Sequence, residues 1–141
     1  MRTAAFDLGD AWIGVAIADP LGIIASPHET IRACDLETYI ASLVYSLHVD
    51  TIVVGYPRTL RDTASDQTRK IELLYATLQQ KFPSIRWVLW DERFTSKQAS
   101  SIKRTKTKDQ KLQQHAIAAA LILQSYLERQ LFLKNQSESR K

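Results

Sequence analysis

The order of elements predicts an α/β fold: a mixed five-stranded sheet, with an antiparallel N-terminal meander continued by parallel strands and flanked by helices. Three observations carry this expectation. Strand-like apolar segments separated by turn signals crowd the first 25 residues. A β-branched run at 50–55 has no polar alternation, as in a strand buried on both faces. Beyond it, helical and strand-like segments alternate. The 141 residues suit one domain, expected over 1–133 with a disordered tail at 134–141.

Each element has its own local reason. Residues 3–8 form a buried strand, and Gly9-Asp10 turns the chain into the alternating segment Trp12–Ala18. Asp19-Pro20-Leu21-Gly22 is a second turn signal, with proline at a favoured turn position and glycine closing it. A short strand is expected around Gly22–Ala25. Asp35 is placed to cap a helix that runs to about Ser46. Asp50–Gly55 is the central strand. Helical periodicity through Ile71, Leu74, Tyr75 and Leu78 marks a helix at about 63–80, and Pro83 ends that passage. Ile85–Trp90 is another buried strand. Thr95-Ser96 caps a short helix to about Ile102, residues 103–110 form a polar basic loop, and a final helix spans about 111–133.

Composition excludes several classes. Apolar residues make up 45% and charged residues 24%, an ordinary soluble balance. No apolar run approaches the roughly 18–20 residues of a membrane span. Asp7 and Asp10 interrupt the only N-terminal apolar stretch, so no signal peptide and a cytoplasmic location are expected. The lone Cys34 rules out an internal disulfide and a cysteine zinc cluster; it is expected as a small packed residue near a helix start. The net charge of +4 is unevenly spread: residues 1–60 hold three Lys/Arg against seven Asp/Glu, and residues 61–141 hold sixteen against eight. Lys97, Lys103, Arg104, Lys106, Lys108 and Lys111 form the densest basic stretch, with Asp109 its single acid. Such a stripe can neutralise phosphates, or it can be a solvated loop. Arg58, Arg61 and Arg93, beside strand ends, are further candidate phosphate contacts.

Two strand ends carry acids. Asp7 closes the first strand, where an unpaired buried carboxylate would be costly. It is either a metal ligand or an acceptor for the Gly9-Asp10 turn. Asp91 and Glu92 close the strand at 85–90; side chains alternate along a strand, so one of the pair faces the site, and Glu92 is favoured over Asp91. The third element is His115, aligned with Ala118, Ala119 and Ile122 at helical spacing. Small alanines let that helix approach the sheet. A histidine there can ligate metal or act as general base, or be a satisfied surface residue. Converging carboxylates at strand ends suit divalent metal and phosphodiester chemistry. The chain has no GxGxxG, P-loop, HExxH or nucleophile elbow.

Taken together, these segments resemble the YqgF/RuvX family, of ribonuclease H-like fold, described as Holliday junction resolvases and as pre-16S rRNA nucleases. The resemblance rests on Phe6-Asp7-Leu8-Gly9 with Ile13-Gly14-Val15-Ala16, on Asp19-Pro20-Leu21-Gly22 with Glu29-Thr30-Ile31, and on Val53-Val54-Gly55-Tyr56-Pro57. It continues through Leu89-Trp90-Asp91-Glu92-Arg93-Phe94-Thr95-Ser96 and the closing helix at Ala118–Leu127. It implies catalytic carboxylates at Asp7 and the Asp91-Glu92 pair, and an aspartate on the last helix, where this chain has His115. Some related ribonuclease H-like nucleases use histidine at that place. A second departure is Asp10-Ala11-Trp12, where the family usually carries a threonine and basic residues.

What the resemblance implies is a metal-dependent nuclease. Asp7, Glu92 and His115 would hold Mg²⁺ or Mn²⁺. The substrate would be pre-16S rRNA in 5′-end maturation or, alternatively, a branched DNA junction, the latter requiring a homodimer rather than a monomer for paired cuts. A rival from another class is a catalytically impaired nucleic-acid-binding module that keeps the fold and the basic stripe. No membrane partner is expected.

Overall fold

The computed structural model describes residues 2–56, 66–92 and 108–139, with the side chains at 66, 67, 108–112 and 139 left out of the description. Five strands, β1 (Arg2–Leu8), β2 (Trp12–Ala18), β3 (Ala25–Arg32), β4 (Val49–Tyr56) and β5 (Arg86–Asp91), join in one sheet of order β3-β2-β1-β4-β5. β1 pairs antiparallel with β2, and β2 antiparallel with β3. β4 runs parallel to β1 and to β5. The expected meander followed by parallel strands is therefore present.

Helices α1 (Leu36–Leu47) and α2 (Asp66–Lys81) cover one face, and α3 (Lys108–Ser139) covers the other. The inner strands β1, β2 and β4 are apolar on both sides for this reason. Phe6, Val15, Ile52 and Val54 point at α1 and α2. Ala5, Ala16 and Val53 point at α3, which answers with Ala119, Ala120, Ile122 and Leu123. The α3 face is built of small side chains, so this helix sits close on the sheet. Trp90 and Tyr126 meet edge to face across that layer, with ring centroids 5.7 Å apart.

Four expectations are corrected. The third strand is not at Gly22–Ala25 but at Ala25–Arg32. The Asp19 carboxylate accepts the Ile23 and Ile24 N–H groups at 2.7 and 2.8 Å, so those donors serve the turn rather than a ladder. Gly22, at φ 71°, closes the turn. β3 carries Pro27 because it is an edge strand with a bulge opposite Val15/Ala16. Asp35 does stand at the N-cap of α1, yet its side chain makes no capping bond, since a 3₁₀ turn at Ala33–Asp35 leads the chain in. Cys34 lies in that turn and is exposed rather than packed. Finally, α3 begins at Lys108 and runs to Ser139, past the end expected at 133 and through residues assigned to a tail. Its last turns are solvated and rich in good helix formers such as Glu128, Arg129, Gln130 and Lys134.

Candidate active site

The carboxyl end of β1 carries Asp7, whose strand neighbours Phe6 and Leu8 face the opposite layer. By alternation Asp7 shares the α3 face with Ala5. Its partner across β2 is Gly14. On the other side, β4 pairs Val54 with Phe6, so Gly55 is the next residue on β4 beside Asp7. Asp7 therefore lies between two strands that place a glycine next to it.

Both glycines make room for something. A Cβ added at Gly55 would come 2.8 Å from Glu92 Oε1 and 2.6 Å from Ile122 Cδ1. The Glu92 carboxylate thus lies over the bare backbone of β4, on the side facing Asp7. A Cβ at Gly14 would stand 1.9 Å from the His115 carbonyl oxygen. The first described turns of α3 are consequently seated on the strand that pairs with Asp7.

The electrostatics agree with this placement. Burial raises the Asp7 carboxyl from its ordinary 3.8 to about 6, and the His115 charge pulls it partly back. Glu92 is pushed from 4.5 to about 7, first by burial, then by the charges of Asp7 and Asp91. Two acids raised by burial at one sheet end, one of them also by the charge of the other, are a marker of function. Glu92, not Asp91, reaches over Gly55 toward Asp7; Asp91 acts on Glu92 through its charge.

Of the sequence candidates, Asp7, Glu92 and His115 come to one end of the sheet. Among the described residues, no group of three or more His, Cys, Asp or Glu converges into a set that would hold a metal ion as it stands. The two carboxylates fit a hard divalent cation in donor type and in mutual repulsion, which a cation would relieve. Arg58, Arg61, Arg93, Lys97, Lys103, Arg104 and Lys106 lie outside the described residues, as does the short helix expected after Thr95-Ser96. Lys108 and Lys111 begin α3, without described side chains. Gly14 and Gly55 carry positioning roles that the sequence reading did not assign. The available signal was a glycine interrupting an otherwise apolar strand, which marks close approach of another group.

Comparison with known proteins places this geometry in a lineage. Residues 1–129 match the family described as "RuvX: Holliday junction resolvase". A relative from Rubrobacter xylanophilus is 38% identical over 128 residues, covering 90% of this chain and 92% of its own. Another, from Acetivibrio thermocellus, is 38% identical over 138 residues, covering 91% and 96%. Both bear the name "Putative pre-16S rRNA nuclease". Among solved structures, T. thermophilus RuvC in complex with Holliday junction substrate matches at TM-score 0.58 and 13% identity, over 93% of this chain and 96% of that one. The Fowlpox virus resolvase in complex with Holliday junction DNA matches at TM-score 0.52 and 13% identity, over 93% and 99%. At such identities these two structures speak for the ribonuclease H-like fold alone. With its family match over residues 1–129 and relatives at 38% identity across nine-tenths of its length, the chain belongs to the RuvX family of nucleases.

Proposed function

We propose that this chain hydrolyses phosphodiester bonds in the precursor of 16S rRNA, using a divalent cation held by Asp7 and Glu92 with His115 beside them. The observation that carries the reading is the Glu92 carboxylate lying over Gly55, on the face of the sheet that also carries the half-buried Asp7. Bound there, Mg²⁺ or Mn²⁺ would supply positive charge to activate water and offset charge developing on the phosphoryl group. Asp7 and Glu92 provide hard oxygen donors, and their partial burial weakens screening by bulk water. His115, one helical turn ahead of Ala119, would serve as a third ligand or as a base for the attacking water. The basic stripe from Lys97 to Lys111, with Arg58, Arg61 and Arg93, would hold the substrate backbone. The relatives' names support RNA as substrate.

A branched DNA junction is the second reading, supported by the family description. It requires two copies of the chain to cut opposed strands. One experiment separates these readings: metal-dependent cleavage of a 16S precursor RNA and a four-way DNA junction, side by side, with wild type and Asp7→Asn. Cleavage of the RNA that needs Mn²⁺ or Mg²⁺ and vanishes with Asp7→Asn is expected. Preference for the junction would move the assignment to DNA. Binding of both without cleavage would make the chain a binding module.

A further inference from the structure

We infer that Trp12 and Arg32 form a stacking site for an unpaired nucleobase of the substrate, at the end of the sheet that carries the carboxylates. The inference rests on the nuclease reading above for its occupant, and on the following geometry for its place. The Arg32 guanidinium lies over the Trp12 ring at 5.6 Å from its centroid. The two residues are cross-strand partners in β2 and β3. Trp12 stands two positions before Gly14, about 7 Å along β2 from the residue that pairs with Asp7, and the cavity it lines opens between the end of β3 and α1. The Gly9-Asp10-Ala11 turn fixes this offset. A Cβ at Gly9 would come 2.6 Å from the Trp12 carbonyl oxygen, and Ala11 accepts the Ala33 N–H at 2.9 Å.

The chemistry of the groove selects the ligand. Trp12 and Arg32 open onto a cavity of about 480 Å³ that also includes Thr38, Tyr39, Ser42 and Asp35. Base–aromatic stacking and guanidinium stacking are the usual ways to hold unpaired bases. The Thr38 hydroxyl suits a base edge, and the Ser42 hydroxyl, which donates to the Tyr39 carbonyl at 2.7 Å, can accept from one. The Asp35 carboxylate suits the amino or imino donors of a base, whereas it would repel a phosphate. Tyr39 donates its hydroxyl to Glu29 Oε2 at 3.0 Å, which fixes that ring as a wall. Arg32 is exposed while its guanidinium lies over Trp12, so its charge would meet the phosphate that follows the stacked base. A base held here would anchor the substrate strand at the same end of the sheet as Asp7 and Glu92.

Binding measured by anisotropy without divalent metal tests this. The probes are an RNA stem with an unpaired 5′ flank, a four-way DNA junction, and a plain RNA duplex. Trp12→Ala is expected to weaken binding to the flanked stem roughly tenfold, leave the plain duplex within about twofold, and keep the salt slope. Trp12→Phe should restore most of the loss. With the wild type, abasic substitution along the flank should cost a similar factor at one or two positions only, a readout that survives if Trp12→Ala fails to fold. Equal binding by wild type and Trp12→Ala, equal losses on flanked stem and plain duplex, no effect of any abasic position, or no binding by the wild type would each overturn the stacking site. An effect seen with the junction alone would keep the site and make its occupant a DNA base. Asp7→Asn in the same assay keeps the two ideas apart. Trp12-dependent binding without any metal-dependent cleavage would sink the nuclease reading and leave the stacking site standing.

Discussion

Gly14 and His115 touch through their main chains: a Cβ added at Gly14 would stand 1.9 Å from the His115 carbonyl oxygen and 2.1 Å from its carbon, and 2.8 Å from the Ala116 nitrogen. The first turns of α3 therefore rest on the strand that pairs with Asp7, and the seat exists only because residue 14 has no side chain.

Gly14→Ala follows directly. Its neighbours are backbone atoms of a packed helix, so no flexible side-chain end can yield, and α3 must lift by roughly an ångström or more. Overpacking of this kind costs about 1–3 kcal/mol. A shift of that size at residue 115 should reduce metal-dependent cleavage by roughly 10²-fold. Urea denaturation and single-turnover cleavage measure the two effects. Cleavage at the wild-type rate in the folded variant would show that the helix seat does not position the site.

Gly55→Ala should behave differently. Its added methyl meets only side-chain ends, Ile122 Cδ1 at 2.6 Å and Glu92 Oε1 at 2.8 Å. Both can rotate away, so the stability loss should stay near 1 kcal/mol. Glu92, however, gives up its place over β4. Mn²⁺ affinity, read by calorimetry, is expected to fall roughly tenfold while the urea midpoint barely moves. A large stability loss with unchanged Mn²⁺ affinity would refute the view of Gly55 as the opening between the two carboxylates.

The legible parts of this molecule are those written in hydrophobic pattern. β1, β4 and β5 are apolar runs, and β1 and β5 end in acids, so the strands and the candidate carboxylates could be found together. β3 escaped because an exposed edge strand needs no apolar run; Ser26-Pro27-His28-Glu29 reads as loop until β2 supplies its partner. The ends of α3 escaped because its solvated last turns follow helix propensity rather than an apolar stripe. Gly14 and Gly55 announce close approach, but a glycine does not say which group approaches. That depended on α3 and Glu92, far away in sequence. The sequence prefers Glu92 to Asp91 only by strand alternation; the Glu92 carboxylate over Gly55 is a long-range contact that no local pattern specifies.

The carboxyl shifts predict a pH dependence in the metal-free protein. Asp7 rises from 3.8 to about 6 and Glu92 from 4.5 to about 7 on folding. Between about pH 4 and pH 7 the folded chain therefore holds protons that the unfolded chain has released. Their contribution to stability is fully present below the unfolded values and is lost as pH rises through 6 and 7. In EDTA, wild type should lose more stability between pH 5 and pH 8 than Asp7→Asn or Glu92→Gln, and both variants should exceed wild type at pH 8. Added Mn²⁺ should reverse that order, because it stabilises only the chain that binds it. Parallel pH profiles for wild type and variants would remove the electrostatic argument for this site.

His115→Asp tests the third position. The substitution removes a neighbouring charge that favours ionised Asp7 and adds a third negative charge beside two carboxyls that already resist ionisation. Without metal, the variant should be less stable than wild type at pH 8. With metal the sign inverts: one more hard oxygen donor and about one more unit of negative charge strengthen binding of Mg²⁺ more than of Mn²⁺, for which imidazole is the better-tolerated ligand. The apparent Mg²⁺ constant is expected to tighten roughly tenfold, and the ratio of Mg²⁺ to Mn²⁺ activity to rise with it. His115→Ala is the control, since it should weaken both metals alike. Unchanged Mg²⁺ titration and an unchanged cleavage rate in His115→Asp would show that residue 115 is not a ligand, leaving Asp7 and Glu92 to hold the cation with water and substrate.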